Sequence, residues 1–112
     1  MNDLTKKNCI PCEGGILPFD ISEIHKYQKK VDGWDVKKNE NKNFFLEKKF
    51  IFKNFINSQE FINKVGKISE EEGHHPDIFF GWGYAKITIN THAIEGLSEN
   101  DFILAAKIDL IN

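Results

Sequence analysis

Two pairs of strand-like segments alternate with three helical ones along this chain of 112 residues. Within each pair the connection is too short for anything but an antiparallel hairpin. The first pair joins Trp34–Val36, where apolar and charged residues alternate, to the segment FFLEKKFIF through the polar run KNENKN. In the longer segment Phe44, Leu46, Phe50 and Phe52 share one parity, and Glu47, Lys49 and Lys53 take the other. That is a strand with one buried face. Lys48 breaks the apolar parity, where its aliphatic stem can lie on the core while the ammonium reaches out. The second pair is Ile78–Phe80 and Tyr84–Thr91, turning at Gly81-Trp82-Gly83. Here Ala85, Ile87, Ile89 and Thr91 fall on one face; Lys86, Thr88, Asn90 and His92 fall on the other.

The helical segments carry their own stop and start signals. Asp20, with Glu23 three residues on, outlines a capping box for a helix over about 21–31 bearing Ile21, Ile24 and Val31. Asn54 caps a second, in which Phe55, Phe61, Ile62, Val65 and Ile68 recur at helical spacing to about Glu72. Gly73 fits the left-handed position past its end, and Pro76 follows shortly. Ser98 and Asp101 outline the capping box of a third, whose stripe is Ile103, Leu104, Ala105 and Ile108. Residues 1–19 hold Pro11, Gly14, Gly15 and Pro18, which predicts an irregular lead-in. The economical solution is one α+β domain over 1–112: a four-stranded antiparallel sheet with three helices packed on one face. Such a sheet leaves open edges, which two copies of the chain can cover by pairing.

Charge and composition exclude several functions. The net charge is −2 with histidine neutral, and no basic stripe offers nucleic acid its electrostatic footprint. No apolar run approaches the ~18 residues of a membrane span, and the first residues have no apolar signal core, so a cytoplasmic protein is expected. Cys9 and Cys12 form a lone CxxC without the second pair that a zinc ribbon needs, and it lies in the lead-in rather than between a strand and a helix. It reads as an unremarkable thiol pair.

The chemistry-bearing residues gather between Glu70 and Asp101. His74 and His75 are adjacent, bracketed by Gly73 and Pro76 just beyond a helix end. Proline biases His75 toward an extended backbone. The hairpin that follows turns near Trp82 and brings His92 back toward His75 and Pro76. Three imidazoles with carboxylates nearby are equipment for moving protons near neutral pH. Glu70, four residues before His74, is the carboxylate placed to orient a histidine. A catalytic zinc site also uses three histidines, but adjacent residues rarely aim both side chains at one metal, and no HxH or HxxxH spacing is present. No metal is expected.

The segments EEEGHHPDIFFGW and THAIEGLSENDFILAAKID resemble the pterin-4a-carbinolamine dehydratases. The family pattern falls on Glu70, His74, His75, Pro76, Trp82, His92 and Asp101. The leader CIPCEGG, the Gly33-Trp34 pair and the FIFKNF stretch are similar to bacterial members. Two positions depart: Gly73 stands where some members have an acid, and Ile78 where they have an aromatic. The resemblance implies the fold already read from the pattern, a homo-oligomer that is a dimer or a tetramer, and no metal or bound cofactor. It implies loss of water from 4a-hydroxytetrahydropterin to give quinonoid dihydropterin, which a reductase returns to an aromatic amino acid hydroxylase. On this reading His74 is the principal acid/base, His92 the second, and His75 binds and orients. The backbone around Thr91, Ala93 and Ile94 grips the pterin edge beside Pro76, and Glu70 orients a histidine or accepts pterin N–H groups. Asp101 reads as a helix cap, and Trp82 as packing or interface. The rival expectations are a dimerisation module for a transcription factor, as some members are, or an enzyme for another pterin, as in molybdopterin metabolism.

Overall fold

The computed structural model describes residues 3–9 and 17–111. Four strands, β1 (Asp35–Lys38), β2 (Phe44–Ile51), β3 (Asp77–Gly81) and β4 (Tyr84–Ile89), form one antiparallel sheet in the order β1-β2-β4-β3. The helices are α1 (Ile21–Gln28), α2 (Phe55–Glu72) and α3 (Glu99–Leu110). This is the expected α+β architecture. The two hairpins do not sit side by side as consecutive strands; β4 crosses to pair with β2, matching Leu46 to Ile89 and Phe50 to Ala85. That register puts Leu46, Phe50, Ala85, Ile87 and Ile89 on one face, all buried beneath the helices. Phe102, Leu104 and Ile108 of α3 complete the core, and burying each such side chain contributes about 2 kcal/mol.

Lys48 points to the inward face, as its parity demands. Its ammonium lies 2.9 Å from Asp109 Oδ1 and 2.6 Å from the Asp32 carbonyl, while the Trp34 indole N–H also donates to Asp109 at 3.1 Å. A half-buried cation is thus matched to the end of α3, which pins that helix to the sheet.

Boundaries differ from expectation where backbone hydrogen bonds find other partners. Helix α1 ends at Gln28 rather than near 31: the Lys30 N–H turns back to the Tyr27 carbonyl at 2.9 Å, and the Gln28 side-chain amide donates to the Trp34 carbonyl. β1 runs over Asp35–Lys38 rather than Trp34–Val36, leaving Trp34 as a buried plug ahead of it. The lead-in is not wholly irregular: Asp3–Lys6 form a 3-10 turn, and Leu4 is fully buried in the core. Cys12 lies outside the described residues. β4 ends at Ile89 rather than Thr91, and His92–Ile94 form a 3-10 turn. Among the described residues no helix is long and apolar enough to cross a membrane.

Candidate active site

The end of α2 is fixed by local chemistry. Gly73 adopts a left-handed φ of +64°, its N–H bonds to the Glu70 carbonyl at 3.2 Å, and the His74 N–H bonds to the Ser69 carbonyl at 3.1 Å. This is a Schellman termination, and it delivers His74 in one defined direction from the helix. The hairpin supplies the second element. β3 pairs with β4 so that Asp77 faces Thr88. Continued past that pair, the same register sets His74 level with Thr91.

The third element is the 91–96 turn. Thr91 and Gly96 exchange backbone hydrogen bonds, at 2.8 and 3.4 Å. Glu95 holds a left-handed φ of +52°, a conformation that costs a non-glycine residue about 1 kcal/mol or more. Gly96 is required by close approach: a Cβ there would lie 2.7 Å from that of Pro18.

These elements converge on Asp101, which is completely buried. Its Oδ2 accepts the Ser98 N–H and the Thr91 hydroxyl, both at 2.8 Å. Its Oδ1 lies 2.7 Å from His74 Nε2. A carboxylate offers only acceptors, so the proton on this bond belongs to Nε2 and the ring's Nδ1 is left for chemistry. The His74 side chain is 12 % exposed, enough for one edge to meet a ligand. The capping reading of Asp101 therefore captured only one of its three bonds. The same carboxylate braces His74 from the core.

His75 is held differently. Its Nε2 lies 2.7 Å from Glu70 Oε1, and both side chains are largely exposed. Glu70 thus meets a histidine as expected, but it is His75, the ring that points outward. His92 is exposed at the start of the 3-10 turn, next to Thr91. It borders a shallow groove on the helix-free face of the sheet, with Glu47, Asp77, Lys86, Thr88 and Asn90. Among the described residues no hydrogen bond joins the His92 ring to His74 or His75. Thr91, through Asp101, ties the His92 turn to His74. Pro76 is half-buried, Ala93 is exposed and Ile94 is buried. No group of three or more His, Cys, Asp or Glu side chains among the described residues is arranged to hold a metal ion. The Cys9 thiol is pushed up to about 12, first by burial and then by the Glu72 carboxylate, which is the opposite of a reactive thiolate.

A helix-backed antiparallel sheet thus sets a histidine pair at a helix end, with one ring braced by a buried carboxylate. The family model described as pterin 4 alpha carbinolamine dehydratase matches residues 18–111, and the chain belongs to that family. A protein of Rubrobacter xylanophilus, named provisionally as a pterin-4-alpha-carbinolamine dehydratase, is 44% identical over 109 residues, covering 97% of this chain and 98% of its own. One of Methylococcus capsulatus, with the same provisional name, is 48% identical over 106 residues, covering 95% and 90%. Among solved structures, a transcriptional coactivator/pterin dehydratase from Brucella melitensis superposes with a TM-score of 0.74 at 26% identity, covering 84% of this chain and 97% of that one. A pterin dehydratase-like protein described as a RuBisCO assembly factor in the alpha-carboxysome gives 0.60 at 28% identity, covering 70% and 88%.

Proposed function

We propose that this chain is a dehydratase that removes water from a 4a-hydroxytetrahydropterin, giving quinonoid dihydropterin, by histidine acid–base catalysis in tetrahydropterin recycling. The observation that carries this reading is the 2.7 Å bond between His74 and the buried Asp101, in a chain of this family. The 4a-hydroxyl is a poor leaving group until it is protonated. His74, carrying a proton on Nδ1 as well as the one that Asp101 holds on Nε2, gives the Nδ1 proton to the hydroxyl as the C–O bond breaks and water departs. The electron pair of the adjacent ring nitrogen forms the C=N bond, and the N–H proton passes to a base, the role of His92. Solvent then returns both rings to their starting states, so the reaction is balanced without an oxidant. His75, steadied by Glu70, binds the pterin. The turn at Thr91, Ala93 and Ile94 lines the ring edge beside Pro76.

Purified protein is expected to accelerate dehydration of synthetic 4a-hydroxytetrahydropterin, followed by stopped-flow absorbance with no metal added. An unchanged rate at micromolar protein would remove this dehydratase reading. It would leave an enzyme for another pterin, or a coactivator or assembly-factor role of the kind the Brucella and carboxysome proteins carry in their descriptions. We also read the chain as a homo-oligomer. β3 is an open sheet edge, and Phe79, Trp82 and Tyr84 are exposed around its hairpin. Analytical ultracentrifugation is expected to find a dimer or tetramer; a monomer at the same concentrations would refute this.

A further inference from the structure

The segment ahead of the family match is fastened to the two elements that carry the His74–Asp101 bond. Leu4 is buried in the core and anchors it. Lys7 then pairs with Glu99 at 2.7 Å, in the first turn of α3. The Cys9 N–H donates to Glu72 Oε1 at 2.8 Å, and the Cys9 thiol donates to the Asn100 carbonyl at 3.5 Å. Glu72 is the last residue of α2, two before His74; Asn100 adjoins Asp101. Lys107 closes the arrangement from α3, 2.6 Å from Glu72 Oε2 and 3.3 Å from Asn8 Oδ1. The Glu72 and Lys107 side chains are only 11 % and 15 % exposed, so the pair is shielded from solvent screening.

We propose that residues 3–9 act as a strap that sets the His74–Asp101 geometry, with Glu72 and Lys107 as positioning residues. The strap holds the C-terminus of α2 against the N-terminus of α3. Between Glu72 and His74 stands only Gly73, locked in the Schellman termination, so a displacement of Glu72 passes to the imidazole with little slack. A hydrogen bond at 2.7 Å weakens steeply when its partners separate or tilt. Glu72 is held well as an anion: burial opposes its ionisation, but the Lys107 and Cys9 hydrogen bonds outweigh that and keep its carboxyl below the usual range. The Cys9 thiol, half-buried and protonated, serves as a donor in the strap.

The catalytic consequence rests on the dehydratase reading; the geometric one does not, and the test separates them. In the 112-residue chain, Glu72→Ala is expected to shift the His74 ring 15N resonances away from the Nε2–H pattern. It should also lower kcat about tenfold with KM within twofold and far-UV circular dichroism unchanged. Lys107→Met should do the same more weakly, and Lys107→Arg should retain the native resonances. Wild-type His74 resonances in a folded Glu72→Ala or Lys107→Met protein, even with a lowered Tm, would overturn the strap. Shifted resonances in a chain whose wild type shows no dehydratase rate would support the strap and overturn the function instead.

Discussion

His74→Ala is expected to lower kcat for dehydration about 10³-fold, equivalent to about 4 kcal/mol of lost transition-state stabilisation. KM should change little. The ring removed is the one whose orientation is set from the core, and no other described side chain bonds to Asp101 Oδ1. The protein should remain folded. Asp101 keeps its bonds from Ser98 and Thr91, and water can enter the vacated edge, so the stability loss is held to about 1–2 kcal/mol. His75→Ala is the internal comparison. Its ring and its Glu70 partner both lie in solvent, where such a pair contributes little to stability. Its loss should appear mainly in KM. Stopped-flow kinetics on both variants, with thermal melts, checks the contrast. A His74→Ala enzyme with wild-type kcat would exclude His74 as the principal acid.

Much of the fold was legible because two periods alternate cleanly along the chain. The parity of Ala85, Ile87 and Ile89 predicted the buried face of β4, and Gly73 with Pro76 predicted how α2 ends; Asn54 was readable as its start. What could not be read was where a ladder loses its partner. Thr91 continues the apolar parity of β4, so alternation alone extends the strand. In the folded chain its backbone bonds go to Gly96, across a turn that needs Glu95 in a left-handed conformation. The lead-in failed for a related reason. One buried leucine on a single 3-10 turn has no period to detect, and the lead-in's ion pair and backbone hydrogen bond reach more than 60 residues along the sequence.

The histidines were visible as a constellation, but not which carboxylate serves which ring. Glu70 sits four residues before His74 and five before His75, and the Schellman turn decides for the latter. Asp101 was read as a cap because Ser98 stands three residues ahead. A further signal was present. Leu97, Asp101, Leu104, Ala105 and Ile108 follow one helical stripe, and Thr91 lies on the inward parity of a strand. A carboxylate and a hydroxyl both directed into a core must find partners there. Here they find each other, and the carboxylate's remaining oxygen finds His74.

Asp101→Asn tests that arrangement most sharply, because it preserves shape and changes only what the site can donate. The asparagine carbonyl can still accept from Ser98 N–H and the Thr91 hydroxyl, so the fold should hold within about 2 kcal/mol of wild type. Its amide then faces His74 Nε2 as a donor. Two donors cannot share that bond, so Nε2 must accept, the ring keeps a single proton on Nδ1, and the doubly protonated ring that acts as the acid is disfavoured. An aspartate-to-asparagine change behind the histidine of a serine-protease triad costs about 10⁴ in kcat by this route. Here, where His74 acts directly on the leaving hydroxyl and solvent can replenish its proton, about 10² is expected. Asp101→Leu should behave differently. It orphans three donors in the core, and unfolding should come about 3–5 kcal/mol sooner. Ring 15N spectra of the asparagine variant read the tautomer directly. An Nε2–H ring with undiminished kcat would mean that the buried carboxylate only caps its helix.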